Sequence, residues 1–203
     1  MGTVWLAALT LAVGRTGVAA QQAPPPDSIR QDGVMRASAT VDSVFVDRLL
    51  NEGYVGAGDW ASYLMARLGI YPIPTDVKIE VTSDTARIAL RTRIGDLPPE
   101  ARRALGPLLG MFPPQTEVGG DISLDKVARE VVHFRLETVR VNGVPLPEML
   151  VQSVLFDVGR QYPALTKSGR DLFVEVPRDA NVELGVGRVH LIGPPEDSVR
   201  PSR

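Results

Sequence analysis

The sequence predicts an α+β fold in which a mainly antiparallel β-sheet packs against a long amphipathic helix, with additional short helices. Three observations predict it. Apolar residues alternate with charged or polar ones in several separate stretches, the two-residue period of half-buried strands. Between them lie segments whose apolar residues recur at helical spacing. Pro, Gly and Asn stand mainly at the ends of these segments and in the tails, so the 17 prolines and 19 glycines act as punctuation rather than as a repeat.

The opening twenty residues carry an apolar run from Val4 to Val13 and end with Val18 and Ala20, the small residues a signal peptidase reads. Residues 1–20 are therefore read as a signal peptide cleaved after Ala20. The run is too short to cross a bilayer core, which takes about 20 helical residues, so no transmembrane span is expected in the mature form. Residues 21–38, with Pro24, Pro25 and Pro26, read as a Pro-rich linker. A single α+β domain is expected over 39–192, and residues 193–203 as a disordered tail.

Within the domain, Val41, Val44, Phe45 and Leu49 favour a helix, although their β-branched content keeps a strand open. Asp59 is a candidate N-cap for a helix that places Trp60, Tyr63, Leu64 and Leu68 on one face and ends at Gly69. Aromatic residues at that spacing favour core over a membrane surface. Val77, Ile79 and Val81, then Ile88, Leu90 and Ile94, predict a β-hairpin around Ser83-Asp84-Thr85, with Arg87, Arg91 and Arg93 on its charged face. That face reads first as solvated sheet and second as a peripheral contact for anionic headgroups. Pro98 and Pro99 open a short apolar helix that Pro107 must break, with Leu105 to Phe112 as a cap over the interior or as ordinary core. Val118, Ile122 and Leu124 then begin a strand.

The organising unit is Val131 to Gly159. Val132, Phe134 and Leu136 alternate with His133, Arg135 and Glu137, but after Thr138 the apolar phase slips to Val139 and Val141. A one-residue slip turns a strand's apolar set to the other face, so a β-bulge near Glu137 and Thr138, or a change of layer, is required. Asn142-Gly143 marks a tight turn. Leu150, Val151, Val154, Leu155 and Val158 follow at helical spacing, with Pro147 and Glu148 suited to the first turn. Residues Leu172 to Pro177 read as a short strand. Val182 and Leu184, then Val189 and Leu191, require a bulge or a very tight hairpin at Gly185-Val186-Gly187.

Composition narrows the chemistry. The net charge is −2, and removing residues 1–20 deletes one Arg and no acid, giving −3. No basic field invites nucleic acid. The absence of cysteine excludes disulfides, thiol chemistry and thiolate-bound clusters. His133 and His190 fall in no metal-ligand spacing, no GxSxG elbow occurs, and the GAGD at Gly56 to Asp59 lacks the Lys of a phosphate loop and reads as a helix start. No catalytic residues, metal ligands or cofactor are assigned, and the reading is non-catalytic. Aliphatic rather than aromatic apolar segments suit acyl chains, and equally an ordinary filled core.

The segments FRLETVRVNGVPLPEMLVQSVLFDVG and YPALTKSGRDLFVEVPRDANVELGVGRVHLIG resemble the closing section of bacterial envelope proteins of the tubular lipid-binding type, including the DUF2993 and LmeA-like group. The resemblance implies a curved antiparallel sheet wrapped on a long helix, an apolar groove for lipid tails and no catalysis. Val132, Phe134, Leu136, Leu150, Val154 and Val158 match the strand and helix that line such a groove. The expectation is thus an exported protein, periplasmic or extracellular, that binds or carries a lipid-like apolar ligand. Its competitor is a structural or interaction module of the cell envelope, with a filled core and a protein partner.

Overall fold

In a computed structural model, residues 27–97, 99–104, 111–128, 130–161 and 170–195 are described, with the side chains of Val154 and Val158 among those left outside the description. The chain runs β1 (Asp27–Ser28), α1 (Gln31–Val41) with a π-helical turn (Asp42–Val46), β2 (Glu52–Gly56), α2 (Ala57–Arg67), β3 (Glu80–Ser83), β4 (Arg87–Arg93) and α3 (Pro99–Ala104). It continues through β5 (Glu117–Ala128), β6 (Val131–Val141), β7 (Val144–Pro145), α4 (Glu148–Gln161), β8 (Asp171–Glu175), β9 (Asn181–Gly185) and β10 (Arg188–Ile192). Among the described residues a seven-stranded sheet has the order β1-β3-β4-β5-β6-β7, with β8 also on β6, and a three-stranded sheet has the order β2-β10-β9. All these pairings are antiparallel. The α+β class with mainly antiparallel sheets is as the sequence predicts.

The slip in β6 is a bulge. Asp121 pairs with Thr138 and the next residue, Ile122, pairs with Leu136, so Glu137 is the extra residue on β6. Beyond it Val139 and Val141 stand opposite Gly120 and Val118, in phase with Ile122. One inserted residue keeps the apolar set on a single face along the whole strand. The turn that follows puts Asn142 at φ 49° and Gly143 at φ 77°, the two left-handed residues of a hairpin whose twist matches its strands. The later glycines also make a hairpin: Gly185 pairs with Arg188 around Val186-Gly187.

Three expectations are corrected. Residues 27–38 of the expected linker are not linker: β1 pairs with β3, and Gln31 to Val41 is helix, because Val34 and Ala37 find a buried surface to cover, while residues 21–26 lie outside the described residues. Among the described residues, the helix of the organising unit, α4, is not the one that shares the core cluster with the sheets. That place belongs to α1 and α2, whose Val34, Ala37, Trp60, Ala61 and Leu64 share one cluster with Val81, Ile88, Val132, Phe134, Val182, Val189 and Leu191 from both sheets. Of the described α4 side chains, Val151 alone is fully buried. Finally, Asp59 does not cap α2. The helix begins two residues earlier, and its free amides are met from afar, Gly58 N by Asp27 Oδ2 at 3.1 Å and Ala57 N by Gly187 O at 3.1 Å. At the other end of the chain Gly193 N donates to Asn51 O at 2.8 Å, and residues 196–203 of the expected tail lie outside the described residues.

Close approach of α1 to α2 explains these shifts. A Cβ on Gly33 would lie 2.8 Å from Asp59 Oδ1 and 3.2 Å from the Asp59 Cα, so the contact requires glycine. Buried Ser62 crosses the same junction, accepting from Arg30 N at 2.9 Å and donating to Gly58 O at 2.7 Å. Arg36 on α1 grips Asp59 with two nitrogens, at 2.8 and 2.6 Å, and reaches Asp32 at 2.5 Å. Bidentate geometry of this kind fixes orientation as well as adding attraction.

Two predictions follow from this packing. Deleting Glu137 together with Thr138 would turn Arg140 into the core and Val139 and Val141 out of it and should lose cooperative unfolding, whereas deleting Glu137 alone leaves Leu136, Val139 and Val141 at alternate positions and should keep it. Glu137→Ala, which keeps the register, should stay within about 0.5 kcal/mol of the parent in urea denaturation, as exposed positions do. The second concerns pH. The hydrogen bond from Arg36 holds the Asp32 carboxyl below its ordinary 3.8. A lowered folded value gives stabilisation that is complete above 3.8 and lost as the pH falls through the folded value. The urea midpoint of Arg36→Met should therefore lie below the parent's at neutral pH, with the gap narrowing only below pH 3.8.

Candidate functional site

The inner face of the large sheet is not wholly filled. On α2, Ala61, Leu64, Met65 and Leu68 recur at three- and four-residue steps and face the sheet. Across from them stand Ile88 and Leu90 of β4, Ile122 of β5, Phe134 and Leu136 of β6 and Leu172 of β8. Between these rows lies an open pocket of about 240 Å³ with an almost wholly apolar wall, which Ile29 and Leu155 complete and which Arg170 and Asp171 also border. The volume exceeds the ~150 Å³ of an apolar cavity that accepts benzene. It falls below the ~300–1,000 Å³ of pockets for drug-sized ligands.

The candidate residues separate on this geometry. Phe134 and Leu136 line the pocket. Val132 is completely buried in the common core and does not reach the wall. Leu150 is half-buried and also off the wall, while Val154 and Val158 fall where no side chain is described. Among the described α4 side chains, the one on the wall is Leu155, next to the expected Val154 in sequence. Sequence reasoning assigned Leu64, Leu68, Ile88, Leu90 and Ile122 to ordinary core faces. Their periodicity was legible, but a period fixes which face is apolar and not whether that face is filled.

Arg170 ties the rim together. Its Nη2 donates to Glu148 Oε2 at the start of α4 at 2.5 Å, and its Nη1 lies 3.5 Å from the carbonyl of the bulge residue Glu137. Its own carbonyl accepts from Leu136 N at 2.9 Å. The Nε of Arg170 is buried and has no hydrogen-bond partner among the described residues. Trp60 Nε1 shares that condition, beneath rings of Tyr63 and Phe134 at 5.4 and 6.1 Å.

The outer face of the same sheet is polar. Asp121, itself buried, holds Arg140 in a close ion pair and has Arg87 Nη1 at 3.6 Å. Gly119 stands opposite both Arg91 and Arg140 on the neighbouring strands. The hollow of about 410 Å³ there contains Asp84, Glu117 and Asp121 as well as three arginines, so its charges compensate. Asp84 closes the β3–β4 turn by accepting from Ala86 N at 2.7 Å and Arg87 N at 2.9 Å, and these backbone bonds lower its carboxyl from the ordinary 3.8.

The two histidines use the same cross-strand device in separate sheets. His133 stands opposite Phe173 and stacks on it at 4.8 Å, with Asp171 Oδ1 2.6 Å from its Nε2. His190 stands opposite Tyr54 and stacks on it at 4.5 Å, with Glu52 Oε2 2.8 Å from its Nε2. Each imidazole thus has one ring face on an aromatic neighbour and one nitrogen on a carboxylate, which positions it as a strand-to-strand tie. No group of three metal-ligating side chains occurs among the described residues.

A structural role of this kind has a measurable size. His133→Gln and His190→Gln should each cost on the order of 1 kcal/mol or less in urea denaturation, the scale of one cross-strand pair, and zinc should leave the melting temperature of the parent unchanged. A zinc-dependent rise in melting temperature that either substitution abolished would contradict this reading. Comparison with known proteins returns no match, whether to a protein-family model, a curated protein or a solved structure.

Proposed function

We propose that this protein is a non-catalytic binder or carrier of a lipid-like apolar ligand, exported by the leader at residues 1–20 and working in the periplasm or outside the cell. The observation that carries the reading is the pocket between α2 and the inner sheet face, whose wall is aliphatic apart from Phe134 and the rim pair Arg170 and Asp171. Such a wall offers acyl chains contact without demanding directional partners. The resemblance to tubular lipid-binding envelope proteins supports the same function, with α2 rather than α4 forming the main helical wall. No helix among the described residues is long and apolar enough to cross a membrane.

The second reading is an interaction module of the envelope. It draws on Val46, Leu49 and Leu50, which are 67%, 75% and 51% exposed where α1 gives way to β2. Clustered exposed aliphatics of this kind favour a partner surface.

Native mass spectrometry without detergent, with organic extraction of bound species and uptake of a fluorescent fatty acid, separates the two. The carrier reading expects an apolar adduct or saturable uptake. It also expects Leu68→Gln or Leu136→Gln, both on half-buried wall positions, to weaken uptake by about tenfold, the effect of placing an unpartnered amide in an apolar site. Leu49→Gln should bind as the parent does. A clean apo mass without uptake, or equal uptake by all folded variants, would transfer the assignment to the interaction module.

A further inference from the structure

We infer that the pocket takes the tail end of one unbranched chain, up to about ten carbons long, and leaves the head group in solvent. Ligands are then sorted by chain length and not by head-group charge. This rests on the reading of the pocket as a ligand site and adds the class of ligand and the part of it that is held.

Polarity sets the first limit. The wall is almost wholly apolar, with Leu64, Met65 and Leu68 on α2 facing Leu90, Ile122 and Leu136 on the sheet. An apolar cavity of this kind stays dry, and a hydroxyl, carboxylate or ammonium drawn into it would lose its water without gaining a partner. The two charged residues that border the pocket do not change this. Arg170 Nη2 donates to Glu148 Oε2 at 2.5 Å, Arg170 Nε is shut off from solvent, and Asp171 Oδ1 lies 2.6 Å from Nε2 of His133. Each is engaged within the protein, and a head group left in solvent meets such charges across water, where they act weakly.

Size sets the second limit. Scaled from benzene in an apolar cavity of ~150 Å³, a pocket of about 240 Å³ holds about eight to ten carbons. That is the end of one acyl or alkyl chain; a second chain or a fused multi-ring body exceeds it. Because the pocket is open, the head and the remainder of a longer chain stand outside. Carbons beyond the limit stay in water and add nothing to affinity, since the gain comes only from apolar surface removed from water.

The test is an NMR titration of the leucine methyl signals of the full chain. One ligand series is the straight-chain alkanols from butanol to dodecanol, and the other is octanol, octanoate and octylammonium, each below its aggregation concentration. Affinity should rise about fourfold with each added carbon, the effect of burying one methylene, and level off at about eight to ten carbons. The three octyl compounds should bind within about threefold of one another. Leu68→Ala, which shortens a half-buried wall side chain to a methyl group, should move the plateau up by about two or three carbons. Leu136→Ala should do the same and serves if the Leu68 variant does not fold. A rise that continues unbroken to dodecanol would overturn the size limit, as would a plateau unmoved by either variant. A difference of about tenfold or more between octanol and either charged compound would overturn the exclusion of the head group. Each of these results leaves the apolar pocket standing as a ligand site. Wall leucine signals that shift with none of the compounds would overturn the pocket reading and this assignment with it.

Discussion

A strand has a side-chain period of two, and β6 can face the core along its whole length only by breaking that period once. The extra residue at Glu137 does so. Phe134 and Leu136 before it, and Val139 and Val141 beyond it, then fall on one face, while Arg135 and Arg140 fall on the other. Much of the candidate site depends on that adjustment. Leu136 enters the pocket wall, the freed carbonyl of Glu137 receives Arg170, and Arg140 reaches Asp121 on the far face of the sheet.

The helical layer has a comparable constraint. Two short helices can share one sheet face only if they approach each other closely, and the Gly33–Asp59 contact provides the approach. Ser62 and Arg36 then fix the crossing with hydrogen bonds whose partners lie in distant parts of the sequence. With α2 held in this way by α1 and β1, its Leu64 and Leu68 stand over the sheet without filling the space between. A pocket bounded by two elements that are each anchored elsewhere can remain open, because closing it would break contacts on the other side of each.

The chemistry of the site follows from what surrounds it. Acidic and basic groups are abundant on the outer sheet face, where Arg87, Asp121 and Arg140 neutralise one another. Both histidines are tied to an aromatic ring and a carboxylate across strands. The inner pocket, by contrast, is walled mainly by aliphatic side chains.

The residues themselves determined the α+β class, the β3–β4 hairpin, the turn at Asn142-Gly143 and the need for an irregularity at Glu137. These are local matters: a two- or three-to-four-residue period, or a backbone angle that suits Asn and Gly, is written within a few neighbouring positions. Phe134 and Leu136 were legible as apolar face residues for the same reason. Tertiary structure decided the rest. Asp27 displaced Asp59 as the partner of the α2 amides, Gln31 to Val41 became helix because a buried surface awaited it, and α2 took the place expected of α4. It also decided that Leu155 meets the pocket and that Arg170, outside every apolar period, stands at its rim. Each of these depends on contacts between residues tens of positions apart, and whether an apolar face is filled or left open is a property of the two surfaces that meet, which neither sequence segment contains alone.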